Sequence, residues 1–476
     1  MFITKSFFYD DFRACTITLL IMSKLFLENM TKFLPSSQFS THPDQLRVAA
    51  IDESTLTPVM PLAVVWAIST EEIASVVKLC AEHKVPITSR GGGSALEGSA
   101  IPSDKAIVLD LSRMTKILES WPEDLQVKVE PGIIYDDLND KLKKDGLFFP
   151  PSPGGSGNLA TIGGMVATNA SGIYAVKYGG TRDYILQLEI VTGTGEIVKL
   201  GSRAIKRSSG YELVQLLVGS EGTLGVIASI TLRLAGIPEG RLQYAFKFPD
   251  EVSAAKAVSE MRRSGIDLAA VEFLDRRVMK ALNKLKNYSL EEVPALFLEF
   301  HGPKASMDSN LDFAKDICTG LKGQELRLSE TQSPWEVRHY VTESIKHLKP
   351  GYIIIRNDVA FPISKLPEMV EYCYELGDQN DILIHTFGHV GMGLLHALML
   401  ARKDNKSEWD KAQNINDKII RKAVELGGTI SGEHGIGLGH KNQLSLEHGD
   451  SIELMVEIKR QFDPHNILNP GKILDI

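Results

Sequence analysis

The sequence predicts an α+β protein of two domains, and three observations indicate this class. From Pro61 onward, short apolar runs alternate with segments whose apolar residues have helical spacing. A glycine-rich stretch with almost no charge, Pro150–Asp183, interrupts that alternation. After a break at Gly236–Gly240, strands again alternate with amphipathic helices, which is typical of helices packed over an antiparallel sheet.

The elements of the first half follow from apolar spacing. Thr70 is expected to be the N-cap of the first predicted helix, Thr70–His83. The turn Gly193–Gly195 predicts a hairpin between two strands. The predicted helices are Thr70–His83 and Ile134–Lys144, and the predicted strands are Ala63–Ile68, Val85–Thr88, Ala106–Leu111, Gln126–Val129, Ile185–Thr192, Glu196–Leu200 and Gly225–Leu234.

The second half shows the same alternation with longer helices. Its predicted strands are Leu242–Phe248, Ala295–Phe300, Tyr352–Ile355 and Ile382–Thr386, and its predicted helices are Val252–Arg263, Ser364–Leu376 and Ser407–Leu426. We expect an N-terminal extension over residues 1–40, a first domain over 41–236, a second over 237–428 and a C-terminal segment over 429–476. A mis-assigned start, with Met22 or Met30 as the true one, is an alternative for the extension.

Composition excludes several functional classes. The 476 residues carry a net charge of −8, which does not indicate a nucleic-acid partner. The four cysteines contain no CxxC pair, which indicates a reducing compartment and argues against a cysteine-ligated iron–sulfur cluster within the chain. The apolar run Ala14–Met22 is too short for a membrane span, which needs about 20 residues. We expect a cytoplasmic protein and leave open a peripheral attachment at the inner face of the membrane.

Two glycine clusters predict a ligand site. Pro150–Asp183 cannot be a regular helix, because each interior glycine costs up to about 1 kcal/mol. A long loop of this kind wraps a ligand more often than it is a bland surface loop. Arg90–Ser94 follows a predicted strand, but neither GxGxxG nor GxxxxGK[ST] is present. What remains is a nest of glycines able to hold a pyrophosphate with its N–H groups.

The order RGGGS, PPSPGG…TIGGMVATNASG, KYGGTRD and LLVGSEGTLGVI resembles the FAD-binding domain of the vanillyl-alcohol oxidase / p-cresol methylhydroxylase superfamily. From about Leu46 to its end, the chain is most similar to the FAD-linked 2-hydroxy-acid dehydrogenases: D-lactate dehydrogenase, D-2-hydroxyglutarate dehydrogenase and the flavin subunit of glycolate oxidase. The resemblance implies a two-part FAD-binding domain over 41–236 and an α+β cap domain with an antiparallel sheet over 237–428. The C-terminal segment would return to the flavin.

The resemblance also implies the FAD contacts. They are Arg90, Gly91, Gly92, Gly93, Ser94, Ala95 and Gly98 around the pyrophosphate; Pro153, Thr161, Gly163, Gly164, Asn169, Ala170 and Gly172 along the isoalloxazine and ribityl chain; Gly222, Val226 and Ile227 at the adenine side; and Asn469 in the tail. One departure is visible, since residues 94–99 read SALEGS where the family loop usually reads TGLSGG. A carboxylate beside a pyrophosphate is repelled by about 1 kcal/mol or more, so we expect Glu97 to point into solvent.

A second constellation lies in the C-terminal half. On one helix His389 and His396 would be about 10 Å apart, too far to share a metal. The glycines between and beside them predict instead a sharp bend that could converge the two rings. Glu433 and His434 stand side by side among glycines, and adjacent side chains can serve different targets. The alternative is a pair of core histidines and an incidental polar turn.

The family pattern GHxGDGNLH…SGEHGIG bears on this constellation. It implies that His389, His396 and Glu433 bind a divalent metal (zinc, iron or manganese) and that His434 is the catalytic base. Met392 and Leu394 replace the Asp and Asn of GDGN. This replacement predicts a less polar rim to the pocket and makes a bulkier or more apolar substrate side chain conceivable.

A third candidate is the segment around Arg338. Arg338 and Thr342 lie four residues apart on a predicted helix, where they could grip a carboxylate together. A solvated arginine is the alternative. Family members place substrate-binding Arg and Thr at these positions, and Arg356 stands where some relatives carry a substrate-binding lysine.

Together these features predict FAD-dependent oxidation of a small D-2-hydroxy acid, of the D-lactate or glycolate type, to the 2-oxo acid. The electrons would pass to an external acceptor: a quinone, a cytochrome, an electron-transfer flavoprotein or an iron–sulfur subunit. The alternatives are a non-catalytic FAD-binding relay subunit and a flavoenzyme of the ether-lipid synthase type. A homodimer is left open.

Overall fold

The structure, a computed structural model, describes residues 25–329 and 332–476. The apolar run Ala14–Met22, with Cys15 in it, lies outside the described residues. The helices of the first half are α1 (residues 25–33), α2 (Pro43–Ala49), α3 (Thr70–His83), α4 (Tyr135–Leu142), α5 (Ile162–Thr168), α6 (Ala175–Tyr178) and α7 (Leu213–Leu217). Its strands are β1 (Phe39–Ser40), β2 (Ala63–Trp66), β3 (Ile87–Arg90), β4 (Ile107–Asp110), β5 (Ile117–Trp121), β6 (Gln126–Val129), β7 (Leu147–Phe148), β8 (Ile185–Val191), β9 (Ile197–Gly201), β10 (Val226–Arg233) and β11 (Ala235–Gly236).

Two sheets form the first half. In the first, β2, β4 and β3 run parallel, and β1 pairs antiparallel with β2. The strands β2 and β4 are nearly continuous apolar runs, as expected of parallel strands buried on both faces, and α3 packs Ile73 and Val77 into the same core. The second sheet is antiparallel in the order β5-β6-β10-β8-β9 and contains the predicted hairpin, β8 with β9.

The second half is built on one antiparallel sheet of seven strands, in the order β15-β12-β14-β13-β17-β18-β16. The strands are β12 (Arg241–Lys247), β13 (Ala270–Leu274), β14 (Ala295–His301), β15 (Gln324–Glu325), β16 (Ile353–Ala360), β17 (His385–Gly388) and β18 (Leu394–Ala401). The helices are α8 (Glu251–Arg263), α9 (Arg276–Lys286), α10 (Lys304–Gly320), α11 (Pro334–His339), α12 (Val341–His347), α13 (Leu366–Asn380), α14 (Lys406–Glu425), α15 (Leu444–His448) and α16 (Ile452–Phe462). The α+β class with an antiparallel sheet in the second half is thus confirmed.

The C-terminal segment returns to the first half. Leu468 forms a parallel bridge with Ile87 of β3. Lys459 of α16 donates hydrogen bonds to the carbonyls of Thr223 and Leu468 and pairs with Asp463. The predicted domain boundaries at 40, 236 and 428 stay predictions. Among the residues that the structure describes, no helix combines the length and apolarity needed to cross a membrane.

The predicted cap of α3 was wrong by one residue. Ser69, in extended conformation, accepts a hydrogen bond from the N–H of Glu72 and is the N-cap. The hydroxyl of Thr70 instead donates to Glu189 on β8. Serine is the better cap of the two, and the threonine found a partner in the neighbouring sheet.

The exclusion of helix from Pro150–Asp183 was also wrong, because α5 and α6 lie inside this stretch. Tertiary packing overrides the cost of glycine in α5: Ile162, Met165 and Val166 are buried in the core. A Cβ on Gly163 would lie 2.6 Å from Pro131 Cβ and 2.8 Å from its carbonyl oxygen. Glycine there is a requirement of close packing.

Replacing Gly163 with Ala tests this explanation. We expect the free energy of unfolding to fall by about 1–3 kcal/mol, because overpacking against Pro131 outweighs the better helix propensity of alanine. Gly320→Ala, at the end of α10 with no atom within 4 Å of a new Cβ, is the matched control and should be neutral or slightly stabilising. Urea unfolding at saturating FAD measures both variants. Equal midpoints for Gly163→Ala and wild type would contradict the packing argument.

Candidate active site

The bend predicted between the two histidines is built from a strand end, a turn and a strand start. His389 directly follows β17, a 3-10 turn covers Val390–Met392, and His396 lies on β18. Gly393 has φ +77°, a conformation that favours glycine, and a Cβ there would lie 2.0 Å from the carbonyl oxygen of Phe361. The two imidazole centroids are 5.5 Å apart. The bend therefore brings the two rings closer together than they would be on one helix.

Glu433 completes this group from the C-terminal segment. Its Oε1 lies 3.5 Å from His389 Nε2 and 3.4 Å from His396 Nε2. Both histidines are 5 % exposed. Burial would raise the pKa of Glu433, but the two histidines hold it well below its usual value. Two imidazoles and one carboxylate facing one point form a donor set suited to zinc, iron or manganese.

Asp358 on β16 holds the segment that carries Glu433. Its Oδ2 accepts hydrogen bonds from the backbone N–H groups of Gly432 at 3.0 Å, Glu433 at 2.8 Å and His434 at 2.8 Å. Ser431 Oγ donates to the same atom at 3.2 Å. Burial would raise the pKa of Asp358, but His434 and His396 bring it below its usual value. This carboxylate fixes the backbone from which both functional side chains project.

The same neighbourhood contains a second possible donor set. Ligand atoms of Asp358, His396, Glu433 and His434 all lie within 4.8 Å of one another. The ring of His434 stacks on that of His396 with centroids 5.4 Å apart. His396 and Glu433 belong to both sets, so they are the shared part of any metal site here. The assignment of His389 as third ligand and of His434 as base stays a prediction.

Glu272, on β13, orients His389 from behind. It is fully buried, and its Oε1 lies 2.5 Å from His389 Nδ1 while its Oε2 lies 2.5 Å from Arg338 Nε. Burial would raise the pKa of Glu272, but His389 and Arg338 hold it below its usual value. With Nδ1 engaged, His389 presents Nε2 to Glu433. Metal-binding histidines are commonly oriented by such a carboxylate.

Two more carboxylates hold the loop that follows His434. Glu221 accepts from the N–H groups of Ile436 at 2.6 Å and Gly437 at 2.9 Å, and its burial raises its pKa to about 7. The prediction that Glu97 points into solvent was wrong. Glu97 is 9 % exposed and lies 3.4 Å from His440 Nε2 and 3.9 Å from His434 Nδ1. Its side chain turns toward these histidines and does not line the cavity.

One cavity of about 830 Å³ joins these groups to the glycine clusters. Arg338, Thr342 and Arg356 all line it, as do His389, His396, Glu433 and His434. Arg338 and Thr342 do not share one helix, however. Tyr340 ends α11 and α12 begins at Val341. The two side chains meet at the cavity because the two helices join there.

Arg356 differs from Arg338 in its partners. The side chain of Arg338 is ion-paired with Glu272, whereas the guanidinium of Arg356 makes no hydrogen bond or ion pair within residues 25–329 and 332–476. Burial lowers the pKa of Arg356, and Glu97 and Glu53 oppose that shift. An unpaired, partly buried guanidinium in a cavity wall offers hydrogen-bond donors and a positive charge to an anion.

Most residues implied to contact FAD line the cavity or the small pocket beside it. Those lining the cavity are Gly91, Gly92, Gly93, Ser94, Ala95, Pro153, Thr161, Gly164, Ala170 and Gly222, and those that line only the small pocket are Arg90, Gly163 and Ile227. Five others lie behind these walls: Gly98, Asn169, Gly172, Val226 and Asn469. Asn469, for example, donates to the carbonyls of Ser99 and Glu221 and bonds Thr88. The FAD contacts implied for these five residues stay predictions.

The expectation that Met392 and Leu394 form the pocket rim was wrong. Met392 is 47 % exposed in the outer turn, and neither residue lines the cavity. Leu394 is buried against Gly432, where a Cβ would lie 2.8 Å from its Cδ1. The apolar walls near the metal candidates are instead Trp335, Phe387 and Leu398.

Sequence reasoning missed Asp358 and Glu272 as members of the site. A signal was present, since each is an acid within a strand that is otherwise mostly buried and apolar, IIIRNDVA and AVEFL. Asp and Glu are almost never fully buried unless they are paired. Such an isolated acid therefore indicates a buried cationic or N–H partner.

Similarity to known proteins shows the family of the chain. Residues 61–201 match the family described as FAD binding domain, and residues 237–473 match FAD linked oxidases, C-terminal domain. The probable mitochondrial D-lactate dehydrogenase of Danio rerio is 36% identical over 89% of this chain and 86% of its own length. The glycolate oxidase subunit GlcD of Bacillus subtilis is 34% identical over 87% and 89%.

Among solved structures, p-cresol methylhydroxylase with substrate bound superposes with a TM-score of 0.80 at 18% identity, covering 95% of this chain and 97% of that one. At this identity the likeness shows the fold, that of the vanillyl-alcohol oxidase / p-cresol methylhydroxylase superfamily. The chain belongs to the family of FAD-linked oxidases that includes the D-lactate dehydrogenases and GlcD.

The residues of the nest fit FAD. Within the described part of the chain, no protein group accepts a hydrogen bond from the backbone N–H of any residue from Gly91 to Ala95. Five successive unpaired donors beside a cavity suit a pyrophosphate. Close packing requires glycine at position 92, since a Cβ there would lie 1.9 Å from the carbonyl oxygen of Leu159.

Replacing Asp358 with Asn tests the role of its charge. We expect the free energy of unfolding to fall by about 2–3 kcal/mol, because an amide oxygen accepts the three N–H groups less strongly than a carboxylate and its NH2 faces donors. Asp250→Asn at the N-cap of α8 is the control, since Asn caps a helix as well as Asp. Urea unfolding of both purified variants measures the two changes in the free energy of unfolding. Equal losses of unfolding free energy in Asp358→Asn and Asp250→Asn would contradict the role of Asp358 in holding the backbone of Glu433 and His434.

Proposed function

We propose that this chain is an FAD-linked dehydrogenase that oxidises a small D-2-hydroxy acid, of the D-lactate or glycolate type, to the 2-oxo acid. The observation that carries the proposal is one cavity with two kinds of wall. One wall is the glycine nest and the stretch around Pro153 and Thr161, and the other carries Arg338, His389 and His434. The names of the relatives, D-lactate dehydrogenase and glycolate oxidase subunit, support the same chemistry.

Arg338 would hold the substrate carboxylate, with Thr342 and Arg356 assisting. Glu272 fixes Arg338 through Nε, and the guanidinium lies 4.8 Å from the centre of the Phe387 ring. A guanidinium held on one side keeps its other donors in a fixed fork, which suits a carboxylate. The unpaired charge of Arg356 adds a second attraction for an anion in the same cavity.

His434 would accept the proton of the substrate hydroxyl. Its ring stacks on His396 and its backbone is held by Asp358, so its position is set before substrate arrives. Bound FAD supplies a hydride acceptor at N5. A divalent ion on His396, Glu433 and His389 would supply Lewis acidity that lowers the pKa of the substrate hydroxyl.

The electrons would leave to an external acceptor: a quinone, a cytochrome, an electron-transfer flavoprotein or an iron–sulfur subunit. The absence of a CxxC pair and of a GxGxxG motif in the sequence supports an acceptor outside the chain. The buried His389–His396–Glu433 group in the FAD cavity favours catalysis over a purely relaying subunit, because such a group is costly to bury without a use.

Anaerobic flavin reduction tests the proposal. The purified protein should show flavin absorbance that D-lactate or glycolate bleaches without oxygen. His434→Gln should retain the flavin and slow bleaching by at least about 100-fold, because the hydroxyl proton loses its acceptor. His448→Gln on α15 is the control and should reduce at the wild-type rate. The proposal fails if no D-2-hydroxy acid bleaches the wild-type flavin.

Metal analysis tests the donor set. We expect zinc, iron or manganese to copurify with the wild type and to be lost in Glu433→Gln, since a neutral amide is a much weaker ligand than a carboxylate. Glu251→Gln, which removes a buried carboxylate bonded to Arg276 and Tyr374, should keep the metal. Elemental analysis by mass spectrometry gives the ratio of metal to flavin. An equal ratio in all three proteins would contradict the assignment.

A further inference from the structure

Glu97 lies at the junction of the nest and the loop after the candidate base. It follows the nest residues Gly91–Ala95 within the same loop, between β3 and β4. Its Oε2 is 3.4 Å from His440 Nε2, and its Oε1 is 3.9 Å from His434 Nδ1. Among the residues that the structure describes, it is the one carboxylate within 4 Å of both rings. The chemistry proposed above for the site does not use this carboxylate.

The backbone of Glu97 makes the same junction. Its carbonyl accepts from the N–H groups of Leu438 at 2.7 Å and Gly439 at 3.0 Å. A Cβ on Gly437 would lie 2.1 Å from this carbonyl oxygen, and one on Gly439 would lie 2.0 Å from Oε2. The approach of the two loops thus depends on glycine at both positions. The backbone carbonyl and the side chain of Glu97 therefore both contact the segment His434–His440.

The imidazoles beside Glu97 need a partner. In the part of the chain that the structure describes, His434 Nδ1 and both ring nitrogens of His440 are buried without a hydrogen bond. Unpaired buried polar atoms are uncommon and costly. Asp358 Oδ2 lies 3.7 Å from His434 Nδ1 but already accepts three backbone N–H groups. Asp358 Oδ1 is also without a hydrogen bond but lies beside His396, 3.6 Å from its Nδ1, so among residues 25–329 and 332–476 Glu97 is the carboxylate placed to accept from both rings.

We propose that Glu97 is a positioning residue that holds the segment His434–His440 and thereby the ring of His434. The proposal rests on the proposed function only for the role of His434 as base. Glu97 and the nest belong to one loop. The residues proposed to bind the pyrophosphate and the residue proposed to position His434 are therefore neighbours in the sequence. Glu97 contacts neither the substrate nor the flavin in this role.

Reduction kinetics of matched variants test the positioning role of Glu97. In anaerobic stopped-flow reduction by a D-2-hydroxy acid, Glu97→Gln should lower the limiting reduction rate per bound flavin by about tenfold or more while the substrate dissociation constant stays within about threefold. Glu97→Asp, which keeps the charge, should recover a large part of the rate. Glu251→Gln, a buried carboxylate of the cap bonded to Arg276, should match the wild type. A variant that loses flavin or melting temperature but keeps its rate per bound flavin would overturn the proposal.

A second readout does not need turnover. Amide hydrogen exchange of the flavin-containing proteins should be about tenfold faster over residues 434–440 in Glu97→Gln than in wild type, and unchanged in Glu251→Gln. Unchanged exchange in Glu97→Gln would overturn the proposal whatever the activity. If no hydroxy acid reduces the wild-type flavin but the exchange result holds, the proposed function fails and the positioning role stands.

Discussion

The rest of the site depends on the bonds made by one carboxylate oxygen, Oδ2 of Asp358. A buried carboxylate costs several kcal/mol unless hydrogen bonds replace its water. Three successive backbone N–H groups and the hydroxyl of Ser431 do this. Since Asp358 lies on β16 and its donors lie in the C-terminal segment, the contact joins the cap sheet to the tail. The position of Glu433 and His434 follows from that junction.

Other buried carboxylates around the cavity are paired in the same way. Glu272 joins β13 to Arg338 of α11 and to His389, and Glu221 joins the first half to the loop at Ile436. In each case a buried acid is satisfied by groups from another part of the chain. Low dielectric makes such bonds strong and makes their loss costly. The cavity walls are thus fixed relative to one another by buried acids more than by continuous secondary structure.

Much of the fold could be predicted from apolar spacing, because β2, β4, β8 and β10 are runs of buried apolar residues and α3 has a clear apolar face. The bend between His389 and His396 could be predicted from its glycines. What could not be predicted depends on contacts between distant residues. The helix α5 is stabilised by the burial of Ile162, Met165 and Val166, and the outward turn of Met392 follows from the left-handed Gly393. The direction of Glu97 depends on His440, which lies far along the chain.

The return of the tail has a consequence for the order in which the protein assembles. Asn469 bonds Thr88, Ser99 and Glu221, and Leu468 pairs with Ile87, so strand β3 gains a neighbour that is synthesised almost four hundred residues later. During translation the first half can form its sheets but not the complete wall of its cofactor cavity. Contacts of such long sequence separation form late in folding. The contacts that support the cofactor cavity are therefore complete only after the segment Leu468–Asn469 has been synthesised.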